Sequence, residues 1–256
     1  MCFQMTSENA VASITDYQLE EYLRCPFKYY NKYILQKSTD HLNWKQLVQY
    51  AVNHAIYEFY TLPIESRSSS RIIDVLNRHW TNKVHRFESN PHFHRVKAKV
   101  IQSLLRELAS DSSELPPLLL FENISVWIDE LQSEMSMIFQ LARWAKQSFI
   151  IQKFIVDEDR DVTTAFVHMA SVLSSKAFQT LPERIEIITL MTGQKQVYRP
   201  KREDLPGSIA YMQITNDLFQ ETTVYKKSSS VQECVACPFM SDCRTDLDMI
   251  TSPYIQ

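Results

Sequence analysis

The sequence predicts an α/β (α+β) chain with a helical N-terminal region, and three observations carry that expectation. Apolar residues recur at helical spacing through residues 1–117, while β-branched and aromatic runs take over from Leu118. Cysteines near both ends, Cys25 and the group Cys234, Cys237 and Cys243, are placed to tie the termini together. The boundaries are a helical region over 1–117, an α/β core over 118–227 and a cysteine loop over 228–256, packed as one compact domain.

Composition narrows the function before any motif is read. The chain has 256 residues and 45% hydrophobic content, enough for a substantial core. Its 27 basic and 30 acidic side chains leave a net charge of −3, so nucleic acid would have to be met by a local patch. Gly193 and Gly207 are the only glycines, which excludes a phosphate-cradling P-loop or a dinucleotide fingerprint. No charged start followed by an apolar run opens the sequence, and no stretch is apolar enough to cross a bilayer. A cytoplasmic protein with reduced cysteines and no membrane partner is expected.

In chain order, Thr15 with Gln18 forms a capping-box pattern, and Leu19, Tyr22 and Leu23 then predict a helix from Asp16 to Arg24, stopped by Pro26. Lys28-Tyr29-Tyr30-Asn31-Lys32-Tyr33 interleaves bases with aromatics, so Arg24, Lys28, Tyr29 and Lys32 are candidate nucleic-acid contacts; tyrosines at this spacing also serve packing. Trp44 to Tyr60 predicts a second helix with a broad apolar stripe. Leu62 to Arg71 reads as a loop, Ile72 to Phe87 and Arg95 to Ala109 as helices, and Asp111 to Pro117 as a connection. His85, His92 and His94 group loosely around an Asn90-Pro91 turn, with chance the better explanation. Met135 to Trp144, Phe149 to Val156 and Arg184 to Leu190 read as strands, Val162 to Phe178 as a helix, and Thr192-Gly193 as a turn into Gln196-Val197-Tyr198. Strand, strand, helix, strand implies a mixed sheet flanked by helices.

The C-x2-C-x5-C run at Cys234, Cys237 and Cys243 offers three thiolates, and an all-thiolate site needs a fourth. Cys25 supplies it, being followed by Pro-Phe as Cys237 is; Cys2 takes no part. Zinc and an iron–sulfur cluster both accept such ligands, and ordinary buried thiols are the plain alternative.

Together these features resemble the iron–sulfur nucleases of the RecB-like PD-(D/E)XK superfamily, including AddB-type nuclease domains and the four-cysteine exonucleases of CRISPR adaptation. The N-terminal pattern of that group, roughly S-x-[ST]-x-[LF]-x-x-[YF]-x-x-C-P-x-[KQR]-[YF], is met by Ser13, Thr15, Leu19, Tyr22, Cys25, Pro26, Lys28 and Tyr29. The spacing in C-x2-C-P-[FY] is met again at Cys234 and Cys237. The resemblance implies a restriction-endonuclease-like core and a [4Fe–4S] cluster on Cys25, Cys234, Cys237 and Cys243, with zinc as the alternative. It also implies DNA as partner, single-stranded or at a duplex end, together with protein partners in a DNA-processing complex.

The same resemblance puts the catalytic lysine at Lys153 and the histidine of G-x-x-x-H at His54, with Tyr50 in the glycine's place. It then leaves Ile151 where the second acid belongs, and Phe139 or Gln140 where the first aspartate belongs. The family's Q-x-x-x-Y falls near Thr164 to His168 and is not matched. Asp157, Glu158 and Asp159 follow the lysine instead of preceding it, and Glu122, Asp129 and Glu134 have no motif around them. A PD-(D/E)XK site uses carboxylates to hold Mg²⁺ or Mn²⁺, and neither Phe nor Ile can. The expectation is therefore a nuclease-inactive protein that binds DNA or scaffolds a repair, recombination or defence complex. An active Mg/Mn-dependent single-stranded DNA exonuclease and a metal-clasped interaction protein are the alternatives.

Overall fold

The computed structural model describes residues 13–38, 42–109, 115–221, 226–228, 234 and 237–243. Cys2 and residues 111–114 of the predicted connection lie outside these. A short strand β1 (Ser13–Thr15) leads into α1 (Asp16–Arg24), α2 (Pro26–Tyr29) and a π-type turn over Tyr30–Ile34. Helices α3 (Trp44–Thr61), α4 (Ser69–His79) and α5 (Asn90–Leu108) follow. Strands β2 (Leu119–Ile128), β3 (Ser133–Trp144) and β4 (Phe149–Ile155) precede α6 (Arg160–Phe178), β5 (Arg184–Thr189), β6 (Gln194–Tyr198) and α7 (Leu205–Glu221).

The expected mixed sheet flanked by helices is the observed architecture: six strands in an open sheet. β3 and β4 are antiparallel, β4 and β5 parallel, and β5 and β6 antiparallel. β2 runs antiparallel to β3 along nearly its whole length. The other edge of β3 is shared, with β1 parallel to it at Glu134–Ser136 and β4 antiparallel from Leu141 onward. Between those two neighbours the edge forks.

Helices cover both faces. On one, α3, α4 and α5 bury Val52, Ile56, Leu76, Val100 and Leu104 against Leu141, Phe154 and Ile188. On the other, Leu19 of α1, Phe166 and Met169 of α6 and Met212 of α7 pack on Met135, Phe139, Ile151 and Ile187. Side chains along β3 do not simply alternate: Met135, Met137 and Phe139 share one cluster, whereas Leu141 belongs to the other. The reversal falls at Gln140. Across the ladder, where Leu120 faces Leu141 and Glu122 faces Phe139, Phe121 holds a left-handed φ of 53°. That conformation is strained for an aromatic residue and marks a kink in both strands.

The helix limits show which local signals dominated. α1 spans the predicted residues: the Thr15 hydroxyl accepts the Gln18 N–H at 3.3 Å, and Cys25, in extended conformation, ends the helix before Pro26. α5 starts at Asn90 instead of Arg95, since the Ser89 hydroxyl caps the His92 N–H and Pro91 lies in the first turn, where no donor is needed. α4 stops at His79 instead of Phe87, as the backbone becomes extended at Trp80, and it starts at Ser69, inside the predicted loop. β2, α7 and the three-residue β1 are additions to the elements expected.

Candidate functional site

The fork opens into a cavity of about 370 Å³ between α1, α2, α3 and strands β3 and β4. Five basic side chains (Arg24, Lys28, Lys32, Lys45, Lys153) and four acidic ones (Asp16, Glu20, Glu21, Asp157) line it, together with Gln49, Asn53, Gln140, Tyr17 and Tyr33.

Its floor is built from amides. A strand edge left unpaired must find other partners for its N–H and C=O groups. The Gln140 Oε1 accepts the Phe154 N–H at 2.7 Å, and its Nε2 donates to Asn53 Oδ1 at 3.1 Å. Gln49 Nε2 donates to the Phe154 carbonyl at 2.8 Å and to Asn53 Oδ1 at 2.9 Å, while Gln49 Oε1 accepts the Val156 N–H at 3.1 Å. Two side-chain amides thus stand in for the missing strand along β4, and Asn53 joins them. On the β3 side of the fork the Ile138 N–H donates to the Asp16 carboxylate.

Above the floor, α1 presents Asp16 and Glu20 one turn apart. Lys153 reaches up between them from β4, its Nζ 4.0 Å from Glu20 Oε2 and 4.2 Å from the centre of the Phe166 ring. Burial pushes the Asp16 carboxyl up, and Glu20 adds to the effect against the opposing pull of Lys153. Around the mouth the charges close in pairs. Glu21 bonds Lys28 at 2.6 Å and Lys32 at 2.9 Å. Burial alone would raise the Glu21 carboxyl, but the two lysines outweigh it and hold it below its usual range. Lys45 pairs with Asp157 at 2.6 Å, and Arg24 with Glu20 at 3.1 Å and Asp159 at 3.7 Å.

Lys153, Arg24, Lys28 and Lys32 are therefore brought together at one cavity. Tyr29 is not at the surface: it is 6% exposed and packs against Tyr22, Tyr33 and Phe219. His54 lies one position beyond the cavity-lining Asn53, its ring against Tyr50 at 4.2 Å and stacked on His79 at 5.2 Å. Ile151 and Phe139 are fully buried. Asp159 caps α6 through the Asp161 and Val162 N–H groups, Glu158 accepts from Gln196, and Glu122 and Asp129 are exposed. His168 faces α7, within 3.0 Å of Ser208 Oγ and stacked on Tyr211.

Sequence reasoning missed Asp16, Glu20 and the amides of α3. The last left a trace: Gln46, Gln49 and Asn53 form a polar line at i, i+3 and i+7 beside the apolar stripe of that helix.

Just past the C-terminal end of α1, the chain around Cys25 meets the segments that carry the other cysteines. The Phe27 N–H donates to the Lys226 carbonyl at 3.1 Å, Lys227 Nζ donates to the Cys243 carbonyl at 2.5 Å, and Lys37 pairs with Asp242 at 2.5 Å. The Cys237 N–H bonds the Cys234 carbonyl, and the Cys243 N–H that of Phe239, winding the run into turns. Burial pushes the Cys237 thiol up, and the neighbouring Cys25 and Cys234 add to the shift. All four are partly buried. Their all-sulfur donor chemistry suits a soft-metal group, and Cys25 and Cys234 lie near enough to Cys237 to act on its thiol. Among the described residues, no three His, Cys, Asp or Glu side chains are already drawn into a metal-binding group.

No family model matches the chain, and no curated protein matches it in sequence. Solved structures do. One, from Eubacterium rectale and named "Putative exonuclease", is 11% identical with a TM-score of 0.50, covering 99% of this chain and 100% of its own. A second, named SSO0001, is 10% identical with a TM-score of 0.38 over 94% and 88% of the two chains. The first of these likenesses places the chain in a nuclease-like fold, at the level of fold alone.

Proposed function

We propose that this is a nuclease-fold protein that binds nucleic acid, single-stranded or at a duplex end, without hydrolysing it. In this reading it is a DNA-binding or scaffolding component of a repair, recombination or defence complex. The observation that carries the proposal is the amide floor. Where a metal-dependent nuclease places a carboxylate on β3, Gln140 spends both ends of its amide on Phe154 and Asn53. Neutral amides already engaged with backbone give Mg²⁺ little reason to shed its waters. Lys153 remains as a cation that can meet phosphate.

The test is to incubate the protein with labelled single-stranded DNA, with and without Mn²⁺, and to follow binding across salt concentrations. Retention that falls as salt rises, with the strand intact, is the expected result. Mn²⁺-dependent degradation that Lys153→Met abolishes would overturn it and establish the second reading, an active exonuclease. One observation favours that reading: Asp16 and Glu20 are carboxylates beside Lys153, although Asp16 holds its proton more tightly than usual.

Cys25, Cys234, Cys237 and Cys243 hold a [4Fe–4S] cluster in the proposed protein, with zinc as the alternative. Such a group would cross-link the chain's two ends. Iron and acid-labile sulfide in anaerobically purified protein, and a Cys237→Ala variant that loses both and melts lower, are expected. Unchanged metal content and melting in that variant would remove the clasp.

A further inference from the structure

The outer face of α3 carries aromatic rings that the nuclease reading leaves unexplained. Tyr50 is 63% exposed and Tyr57 50%, among the most exposed large apolar side chains of the described residues. His54 lies between them, in contact with Tyr50 and stacked on His79. Beyond Tyr57 comes Phe121, with ring centres 6.1 Å apart, and Phe121 itself lines the cavity. The rings thus form a path that begins at the cavity and leaves along the helix.

Helical geometry explains why this path flanks the cavity. Gln46, Gln49 and Asn53 face the cavity. Tyr50, His54 and Tyr57 repeat nearly the same spacing one residue later, about 100° further round the helix. Tyr50 and Tyr57 are separated by about 10 Å along the axis, close to three stacked base steps of about 3.4 Å each. Two large rings left in contact with water gain free energy when something covers them, and here the neighbours are aromatic instead of aliphatic. Exposed rings on successive turns, tilted 59° between Tyr50 and His54 and 68° between Tyr57 and Phe121, offer π faces to bases beside a site whose five basic side chains, set among four acidic ones, can meet phosphates.

We infer that Tyr50, His54 and Tyr57 form a stacking platform for unpaired bases of a single strand whose backbone occupies the cavity. The inference rests on the nucleic-acid reading above and adds where the bases lie. Stacking needs no hydrogen-bond readout, so the platform is indifferent to sequence.

The experiment is fluorescence anisotropy at one fixed salt concentration, with labelled oligothymidylate and an abasic strand of equal length. Wild type is expected to bind the thymidylate strand more tightly. Tyr50→Ala and Tyr57→Ala should each weaken that binding by about fivefold or more while leaving the abasic strand unaffected. Tyr50→Phe should bind as wild type. Both tyrosines are exposed, so circular dichroism should show each variant folded. Equal binding of the two strands by wild type, or alanine variants that bind like wild type, overturns the platform while the nucleic-acid reading stands. If wild type binds neither strand, there or when the titration is repeated at lower salt, both fall. A dimer in sedimentation that Tyr50→Ala dissolves would assign the face to a second copy and overturn the platform as well.

Discussion

Two polar networks flank the sheet, and they are built to opposite ends. At the β5–β6 side, Glu186 and Glu107 are nearly buried, with side chains 6% and 5% exposed. Arg184 and Gln152 donate to Glu186 at 2.5 and 2.6 Å, and Lys195 pairs with Glu107 and approaches Glu186 at 3.8 Å. Burial would raise the Glu186 carboxyl, but Arg184, Gln152 and Lys195 together hold it low. At the fork, charges of the same kinds surround about 370 Å³ of cavity, and one of them, Asp16, is pushed toward its neutral form. Charges close in pairs in both places, but at the fork the pairs border a cavity, where a ligand can compete for them.

The sharpest way to break this contrast is Glu186→Leu. It strips Arg184, Lys195 and Gln152 of a shared acceptor, and a loss of about 3–5 kcal/mol is expected for a buried pair broken from one side. Urea denaturation measures it, and a loss below 1 kcal/mol, on the order of an exposed pair, would erase the distinction. Gln140→Leu comes next. It leaves the Phe154 N–H without its acceptor, for a cost of about 1–3 kcal/mol. DNA binding should survive, because the basic side chains of the cavity are untouched; a lost affinity with unchanged stability would move Gln140 from scaffold to contact.

The smallest effect concerns the neutral contact between α6 and α7. Burial lowers the His168 pKa below its ordinary value of 6.5. The folded state therefore prefers the neutral ring, and its contribution is fully present above about pH 6.5. That contribution is lost as pH falls from the unfolded value toward the folded one, at no more than about 1.4 kcal/mol per pH unit. Urea midpoints between pH 7.5 and 5 for wild type and His168→Gln should converge as the pH drops. Parallel curves would exclude His168 as the cause.

Some of this could be seen in the sequence, and the reasons differ from element to element. α1 was legible to the residue because Thr15, Gln18 and Pro26 are strictly local signals. β4 and β5 were legible because near-continuous apolar runs in a buried parallel pair resemble nothing else. β2 was not, since as an edge strand it mixes Glu122, Asn123 and Ser125 into its apolar residues. α7 was hidden by Gly207 and a scattered apolar pattern. At the site, Lys153 stood out through a motif, and Arg24, Lys28 and Lys32 through their rhythm. The work of Gln140 depends on the kink opposite Phe121 and on Gln49 and Asn53 from a distant helix, and no local pattern encodes that meeting.

Cys25 is also the joint between α1 and α2, extended between two helices. Asp16, Glu20 and Glu21 lie on one side of it, Lys28 and Lys32 on the other, and Glu21 grips both lysines across it. Three of the wall's four acidic side chains thus precede that residue, and two of its lysines follow it closely. Tilting either helix against the other would have to break the hold of Glu21 on both lysines.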